Sequence, residues 1–487
     1  MPRVLKTSTA HLHPRNWGQL IQSRRRSFWI ALTTLALTIY FLTHEGRTQF
    51  KRYAPSLSTA DTDYPPDYTK LFEWEMNLPQ HNLSLPFPEG KTGRYVIFKN
   101  QIQMLGYNNQ LNEILMNTWL AYKSKRAYVW QDFYWNPKHY PWPEHKHREP
   151  LPRTPLNALI TGPSAGGPWE PGDNAPRSIS EAWYHIVCPR NEVKLLNTHD
   201  IKPPVWFEDG KIIFDHWQKV LTDAPERCIE IHGADFSEDG NPQVFDLFLW
   251  GGPRVLSLWE DFKNSPVSRL LSTSPLVQAA VDKNKYLFLP RGPRPAGPAS
   301  NNPFDRMLAI HLRRGDFKEA CLGFANWNST FYSWDLLPEL PDPFINPPAP
   351  NYEWGKNEPQ NIEYYMKRCY PDDQTILEKV KKAREEYVRA AKPGEFRQLD
   401  VLFILSNDKT GWVDGLKTIF KDDGWHTVVT TRDLELSQAE KDIGMAVDMD
   451  LARLAAVFVG NGWSSFTSNI VHRRLVDGKE PISIRFF

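Results

Sequence analysis

Neither sign of charge is in excess in this chain of 487 residues. Its 58 Lys and Arg stand against 57 Asp and Glu, a net charge of +1. That balance offers no basic domain of the kind a nucleic-acid footprint requires. Cysteine is scarce. The four residues Cys188, Cys228, Cys321 and Cys369 form no CxxC and no Cys/His spacing that suggests zinc. No repeat of 20 to 50 residues is visible, which sets aside solenoids and propellers. Proline and aromatics are plentiful, with 41 Pro, 19 Trp, 18 Tyr and 26 Phe. The composition suits a globular body with long ordered loops and aromatic grooves. Its length exceeds one ordinary core, so two domains are expected.

One long uncharged run is present. Residues 27–43 (SFWIALTTLALTIYFLT) carry no charge and follow Arg24-Arg25-Arg26. Their length is at the lower limit for a spanning helix. The preceding 26 residues hold six Lys or Arg and no acid. The positive-inside rule then keeps 1–26 cytosolic as a tail and makes 27–43 a signal anchor. A cleaved signal peptide and a buried core helix are the alternatives. A short span favours early secretory membranes, so a single-pass type II protein of the Golgi or ER membrane is expected, with its body lumenal. Asn82-Leu83-Ser84 and Asn328-Ser329-Thr330 are glycosylation sequons that agree with this placement. An even cysteine count in an oxidising compartment permits two disulfides. Cys188 pairs with Cys228 and Cys321 with Cys369 if each bond stays within one domain; four buried thiols are the alternative.

Residues 44–91 are polar and Pro-rich and read as a stem. The body begins with a strand near Gly93–Phe98. A turn and a helix of 3.6 period through Leu111, Ile114, Leu115, Trp119 and Leu120 follow, then a strand at Arg126–Trp130. Strand, helix, strand is a βαβ unit and implies a parallel sheet. Residues 92–290 are taken as the first domain, although 180–290 are hard to read beyond possible helices at Val255–Phe262 and Leu276–Val281. The Pro- and Gly-rich 291–304 is the linker, and 305–487 the second domain. There, Met307–His311, Asp400–Leu405 and Ala456–Gly460 read as strands. Helical spacing covers Gln374–Ala391 and Val447–Ala456, and a closing helix is expected from Asn469. Pro338–Pro359, with seven prolines in 22 residues, is a long loop.

Three strand ends of the second domain carry polar residues: His311/Arg313/Arg314, Ser406/Asn407/Asp408 and the loop Gly460–Ser468. Open α/β sheets place ligands at the carboxyl ends of their strands. Two adjacent guanidiniums there form a fork for phosphate oxygens. Ser464 and Ser465, leading into a helix, suit a phosphate at its N-terminus, with a simple N-cap as the alternative. Together these describe a nucleotide-diphosphate pocket. Two acidic triplets, Asp61-Thr62-Asp63 and Asp448-Met449-Asp450, match the DxD pattern of metal-bound nucleotide sugars. The first lies in the stem and the second at a helix start, where acids favour the dipole anyway, so no metal is expected. Arg314-Gly315-Asp316 is read as a coincidental integrin-type tripeptide.

The segment HLRRGDF (311–317) resembles the first signature of the GDP-fucose fucosyltransferases, the group of protein O-fucosyltransferases and α1,6-fucosyltransferases. Asp448, then Phe458-Val459-Gly460, then Ser464-Ser465-Phe466 resemble that group's C-terminal motif. RYVIF and LGYNNQLNEIL (94–98 and 105–115) are similar to its first βα loop. The resemblance implies an α/β fold of two Rossmann-like domains facing a cleft, the glycosyltransferase B type, behind the N-terminal transmembrane helix. It implies an inverting, metal-independent transfer of fucose from GDP-fucose to a protein or glycan hydroxyl, with no other cofactor and no nucleic-acid partner. By position, Arg313 would meet the β-phosphate and glycosidic oxygen. Arg314 would make a structural salt bridge or a second phosphate contact, and His311 a hydrogen bond within the site. Asp448 would hold the guanine edge, Ser464, Ser465 and Phe466 the phosphates and base, and Asn109 would face the cleft from the first domain. The glutamate that one branch of the group places before the first-domain glycine is Leu105 here. Glu113 and Asp316 are the nearest carboxylates for a base, and Asp316 serves equally well as a turn cap. The rival functions are the same fold with another nucleotide sugar, and a catalytically silent nucleotide- or sugar-binding protein.

Overall fold

Ten strands fall into two five-stranded sheets, and every pairing within them is parallel. The structure is a computed structural model that describes residues 63–99, 106–233, 242–290 and 302–487. The tail, the expected membrane helix, the stem up to residue 62, Leu105 and nearly all of the linker lie outside the described residues. Among the described residues no helix is long and apolar enough to cross a membrane.

The first sheet contains β1 (Tyr95–Lys99), β2 (Ala127–Trp130), β3 (Ile179–Ser180), β4 (Val193–Asn197) and β5 (Cys228–His232), in the order β3-β2-β1-β5-β4. Helix α1 (Tyr107–Lys123) joins β1 to β2, and α2 (Gly210–Asp223) precedes β5. The second sheet contains β6 (Met307–Leu312), β7 (Val401–Ser406), β8 (Thr427–Thr430), β9 (Val457–Gly460) and β10 (Ile484–Phe486), in the order β8-β7-β6-β9-β10. Its helices are α3 (Phe317–Asn326), α4 (Pro359–Cys369), α5 (Asp373–Arg389), α6 (Trp412–Asp422), α7 (Gly444–Leu454) and α8 (Ser465–Val476). Strands β6 and β9 are buried at every position, which is why they read as apolar runs, His311 in β6 excepted.

The second sheet has the doubly wound order. Its connections run one way from β6 through β7 to β8, and the other way from β9 to β10. The switch therefore falls between β6 and β9, where such sheets open a crevice. The halves of the molecule meet through an aromatic junction. Trp334 of the second half lies 5.0 Å from Trp259 and 5.7 Å from Phe262 of the first, ring centre to ring centre. Pro275–Asn284 and the turn after it also rest on the second half, with Phe288 edge-on to Phe403 at 5.3 Å.

The stem ends earlier than its composition suggests. Tyr68, Leu71 and Leu78 are buried in the main core, and the Tyr68 hydroxyl donates to Asp442 at 2.7 Å. A short helix, Thr69–Met76, turns Leu71 and Glu75 inward despite the polar average. Both expected disulfides are present, Cys188–Cys228 and Cys321–Cys369.

Candidate functional site

Strand β6 delivers His311 and then Arg313 to the switch point. His311 is buried, its Nδ1 lies 3.1 Å from the Thr467 hydroxyl, and its ring packs on Phe466 at 4.5 Å. Burial, with Arg313 beside it, lowers its pKa to about 3, so the imidazole stays uncharged. The Arg313 guanidinium lies over Phe317 at 4.8 Å, and its buried Nε has no partner. No carboxylate among the described residues lies within ion-pair distance of it. Burial depresses its pKa, which the charge of nearby Asp316 partly offsets. The residue as a whole is half-buried, but a buried donor left unanswered on a cation is costly unless an anion meets it.

Arg314 makes no salt bridge among the described residues. Its guanidinium is stacked between Trp412 at 3.8 Å and Tyr370 at 4.5 Å, and donates to the carbonyls of Pro371 and Arg313 at 2.5 and 3.2 Å. Asn407, at the end of β7, braces this turn. Its Oδ1 accepts from the Arg314 amide at 2.8 Å and its Nδ2 donates to the Arg314 carbonyl at 3.0 Å. Asp408 caps the next loop, accepting from the amides of Thr410 and Gly411 at 3.1 Å each. The β7 end thus supports the arginine turn.

Strand β9 supplies the facing wall. Helix α8 begins at Ser465, four residues before the expected Asn469, so Ser465 and Phe466 belong to its first turn. Ser464 occupies the N-cap position without a side-chain capping bond. The first-turn N–H groups are therefore not taken by a cap, and they carry the positive end of the dipole. Gly460 is required here, because a Cβ would lie 2.3 Å from Thr467 Cγ2. Gly462 is required likewise, since a Cβ would strike the Phe331 ring at 2.5 Å.

Asp448 sits in α7. Its Oδ2 accepts from the Thr431 hydroxyl at 3.0 Å, while its buried Oδ1 has no partner. Burial raises its pKa to about 7. Thr431 directly follows β8, so the carboxylate lies at the same edge of the sheet, two strand spacings (about 10 Å) from β6. Asp450, the second acid of that triplet, faces elsewhere and accepts from Thr273 at 2.6 Å and Arg453 at 2.7 Å. Among the described residues no group of three metal-binding side chains is found.

Across the crevice, Asn109 stands in the first turn of α1 and accepts from the Tyr332 hydroxyl at 3.1 Å. Glu113, one turn on, is sealed in the core. Its Oε1 accepts from Trp250 Nε1 at 2.7 Å, Oε2 has no partner, and burial holds its pKa well above the carboxylate range. Asp316 is exposed at the arginine turn, 3.3 Å from Asn407 Nδ2, and makes no side-chain cap on α3.

The chain is similar to solved fucosyltransferase structures. With POFUT1 in complex with GDP it shares 16% identity at a TM-score of 0.45, over 78% of this chain and 94% of that one. With POFUT1 in complex with GDP-fucose the identity is 15% and the TM-score 0.45, over the same shares. With fucosyltransferase NodZ from Bradyrhizobium it is 11% at 0.34, over 78% and 92%. No family model matches the chain, and no curated protein matches it.

Arg313, His311 and the Ser464–Phe466 loop therefore share one edge at the switch point, with Asp448 further along it and Asn109 opposite. Glu113 does not join them. Thr431, Thr467 and Tyr332 escaped the sequence reading. The first two are short hydroxyl side chains whose roles depend on the folded register. Tyr332 lies beyond a sequon in a stretch without periodicity.

Proposed function

We propose that the chain is a glycosyltransferase that moves fucose from GDP-fucose to a hydroxyl of a protein or glycan, with inversion and without metal. The observation that carries this is Arg313. It is a half-buried guanidinium whose Nε is buried without a partner and which has no carboxylate among the described residues within ion-pair distance, at the switch point of a doubly wound sheet and opposite an uncapped helix N-terminus. Arg313 would stabilise the charge that develops on departing GDP, as an oxyanion hole does. The first-turn amides of α8 would take phosphate oxygens. Asp448, with one free carboxylate oxygen, would accept from the guanine edge, and His311 and Phe466 would form an uncharged wall beside it. The signature HLRRGDF supports the same donor. We place the chain, on its N-terminal run alone, as a type II protein of the Golgi or ER membrane.

A second reading has its own observation. Burial holds the Glu113 pKa well above the carboxylate range, and Asp316 lies at the solvent-exposed turn, so neither of these two carboxylates is placed as the base that transfer to a hydroxyl normally uses. A nucleotide-sugar-binding protein without transfer fits that arrangement. The test is titration of the purified full-length chain with GDP, GDP-fucose, GDP-mannose and UDP in the absence of metal, beside Arg313→Ala. Guanine preference that collapses in the variant supports the donor site. Release of free or transferred fucose from bound GDP-fucose then separates the enzyme from the silent binder. Indifference to all four nucleotides sinks both readings.

A further inference from the structure

Tyr332 crosses from the nucleotide loop to the opposite half of the molecule. Its amide donates to the Gly462 carbonyl at 2.7 Å, and two residues later the Trp334 amide donates to Ser468 Oγ at 3.1 Å. Between them Ser333 adopts a left-handed backbone, φ 52°. Phe331 fills the space where a Cβ on Gly462 would be. The segment 331–334 is thus pinned at both ends to the loop and helix that follow β9. From that base the phenol reaches α1, where Asn109 and Asn112, three residues apart, lie on one face. Asn112 Nδ2 donates to the phenol oxygen at 3.2 Å, and the phenol donates to Asn109 Oδ1 at 3.1 Å.

This relay fixes the orientation of one amide. Because Asn109 Oδ1 is occupied by the phenol, its Nδ2 faces away as a donor. Burial raises the Tyr332 pKa far above its ordinary value, so the phenol keeps its proton and the relay its direction. We infer that Tyr332 is a positioning residue for the donor. It presets the Asn109 amide to donate toward the diphosphate, and it ties that amide to the loop that holds the phosphates. This inference rests on the donor-site reading above.

The test is a double-mutant cycle on GDP affinity in the full chain, using Tyr332→Phe, Asn109→Ala and the pair. Tyr332→Phe keeps the ring and removes the relay. It is expected to weaken GDP about fivefold, the size of one neutral hydrogen bond, with the melting temperature of the apo chain little changed. The double variant is expected to bind no more weakly than Asn109→Ala alone. Asn112→Ala, which removes the donor on the far side of the phenol, is expected to follow Tyr332→Phe in direction. A structural role alone would give additive losses and a matching loss of stability, and that result overturns the inference. So does unchanged affinity in Tyr332→Phe while Arg313→Ala abolishes binding, which leaves the donor site standing. A wild-type chain that binds no guanine nucleotide overturns both.

Discussion

Replacing Asp448 with Asn separates stability from recognition at this site. The carboxyl titrates at about 7 in the folded chain, against an ordinary value of 3.8. That is about three units, or at most about 4 kcal/mol for ionising it in place. Partial exposure of the residue roughly halves this, to about 2 kcal/mol after solvent screening. The sign follows from proton linkage. Between pH 4 and 7 the folded chain holds a proton that the unfolded chain has released, so this contribution to stability is full below pH 4 and lost as pH rises through 7. The amide in the Asp448→Asn variant cannot ionise, and its oxygen still accepts from Thr431. At pH 8 the free variant is therefore expected to be more stable than the wild type by about 2 kcal/mol, with the difference vanishing near pH 4. Guanine offers two N–H donors, and an amide meets one of them with another donor. GDP affinity is expected to fall roughly 10- to 100-fold, the loss of one or two hydrogen bonds to a charged group. In the wild type, affinity is expected to rise with pH through 7, as the carboxyl becomes ionised. Thermal melts with and without GDP at pH 5.5 and 8 measure all of this. A variant less stable at pH 8 that still responds fully to GDP would refute the reasoning.

Three further outcomes are expected. Glu113→Gln puts a neutral amide where burial disfavours the charged acid and should leave any fucose transfer within about threefold of wild type, as read in a transfer assay; loss of turnover with intact GDP binding would make Glu113 the base. Arg474 is fully buried and donates to five main-chain carbonyls, of Ala452, Arg453, Ala455, Ala456 and Ser483, at 2.6–3.2 Å. Arg474→Met strands these acceptors and should cost about 3 kcal/mol or more, seen as a lower urea midpoint. In a secretory host, Asn82→Gln should remove one glycan on a gel, since Asn82 is exposed. Asn328→Gln should lower folding yield as well, because Asn328 Oδ1 accepts from the Tyr365 hydroxyl at 3.1 Å.

What could be read in advance follows from burial. β6, β7 and β9 lie between helices and are apolar but for His311 in β6 and Ser406 at the end of β7, so their positions were plain. β4 is an edge strand with Lys194 and Leu195 exposed, and β5 carries Glu230 and His232 among its five residues, so neither showed a period. Helix α2 was missed although Ile213, Phe214, Trp217 and Leu221 have helical spacing and Asp209 caps its start. Arg313 stood out in the sequence because two arginines end an apolar strand, whereas Asp448 was reached through the resemblance of its segment to a family motif. The work of Arg314 was not legible, because Pro371 and Trp412, which hold it, come from distant turns. Glu113 drew notice by lying near a motif, yet nearly every position of α1 from Tyr107 to Ala121 is buried, which leaves no wet face for a base.

The bond between Cys321 and Cys369 joins α3, which starts just beyond the arginine turn, to the end of α4. The Cys369 carbonyl accepts from Asn461 of the loop after β9 at 2.7 Å, and the next two residues are the Tyr370 ring and Pro371 carbonyl that hold Arg314. Both walls of the crevice are thus moored to one cystine. Maturation of the site becomes a question of redox chemistry as much as of folding. The same polypeptide made where thiols stay reduced is expected to assemble its sheets and core but to lose definition at this edge, with weaker hold on any diphosphate. Treatment with a mild reductant should then loosen nucleotide binding before it melts the body, and reoxidation should restore it.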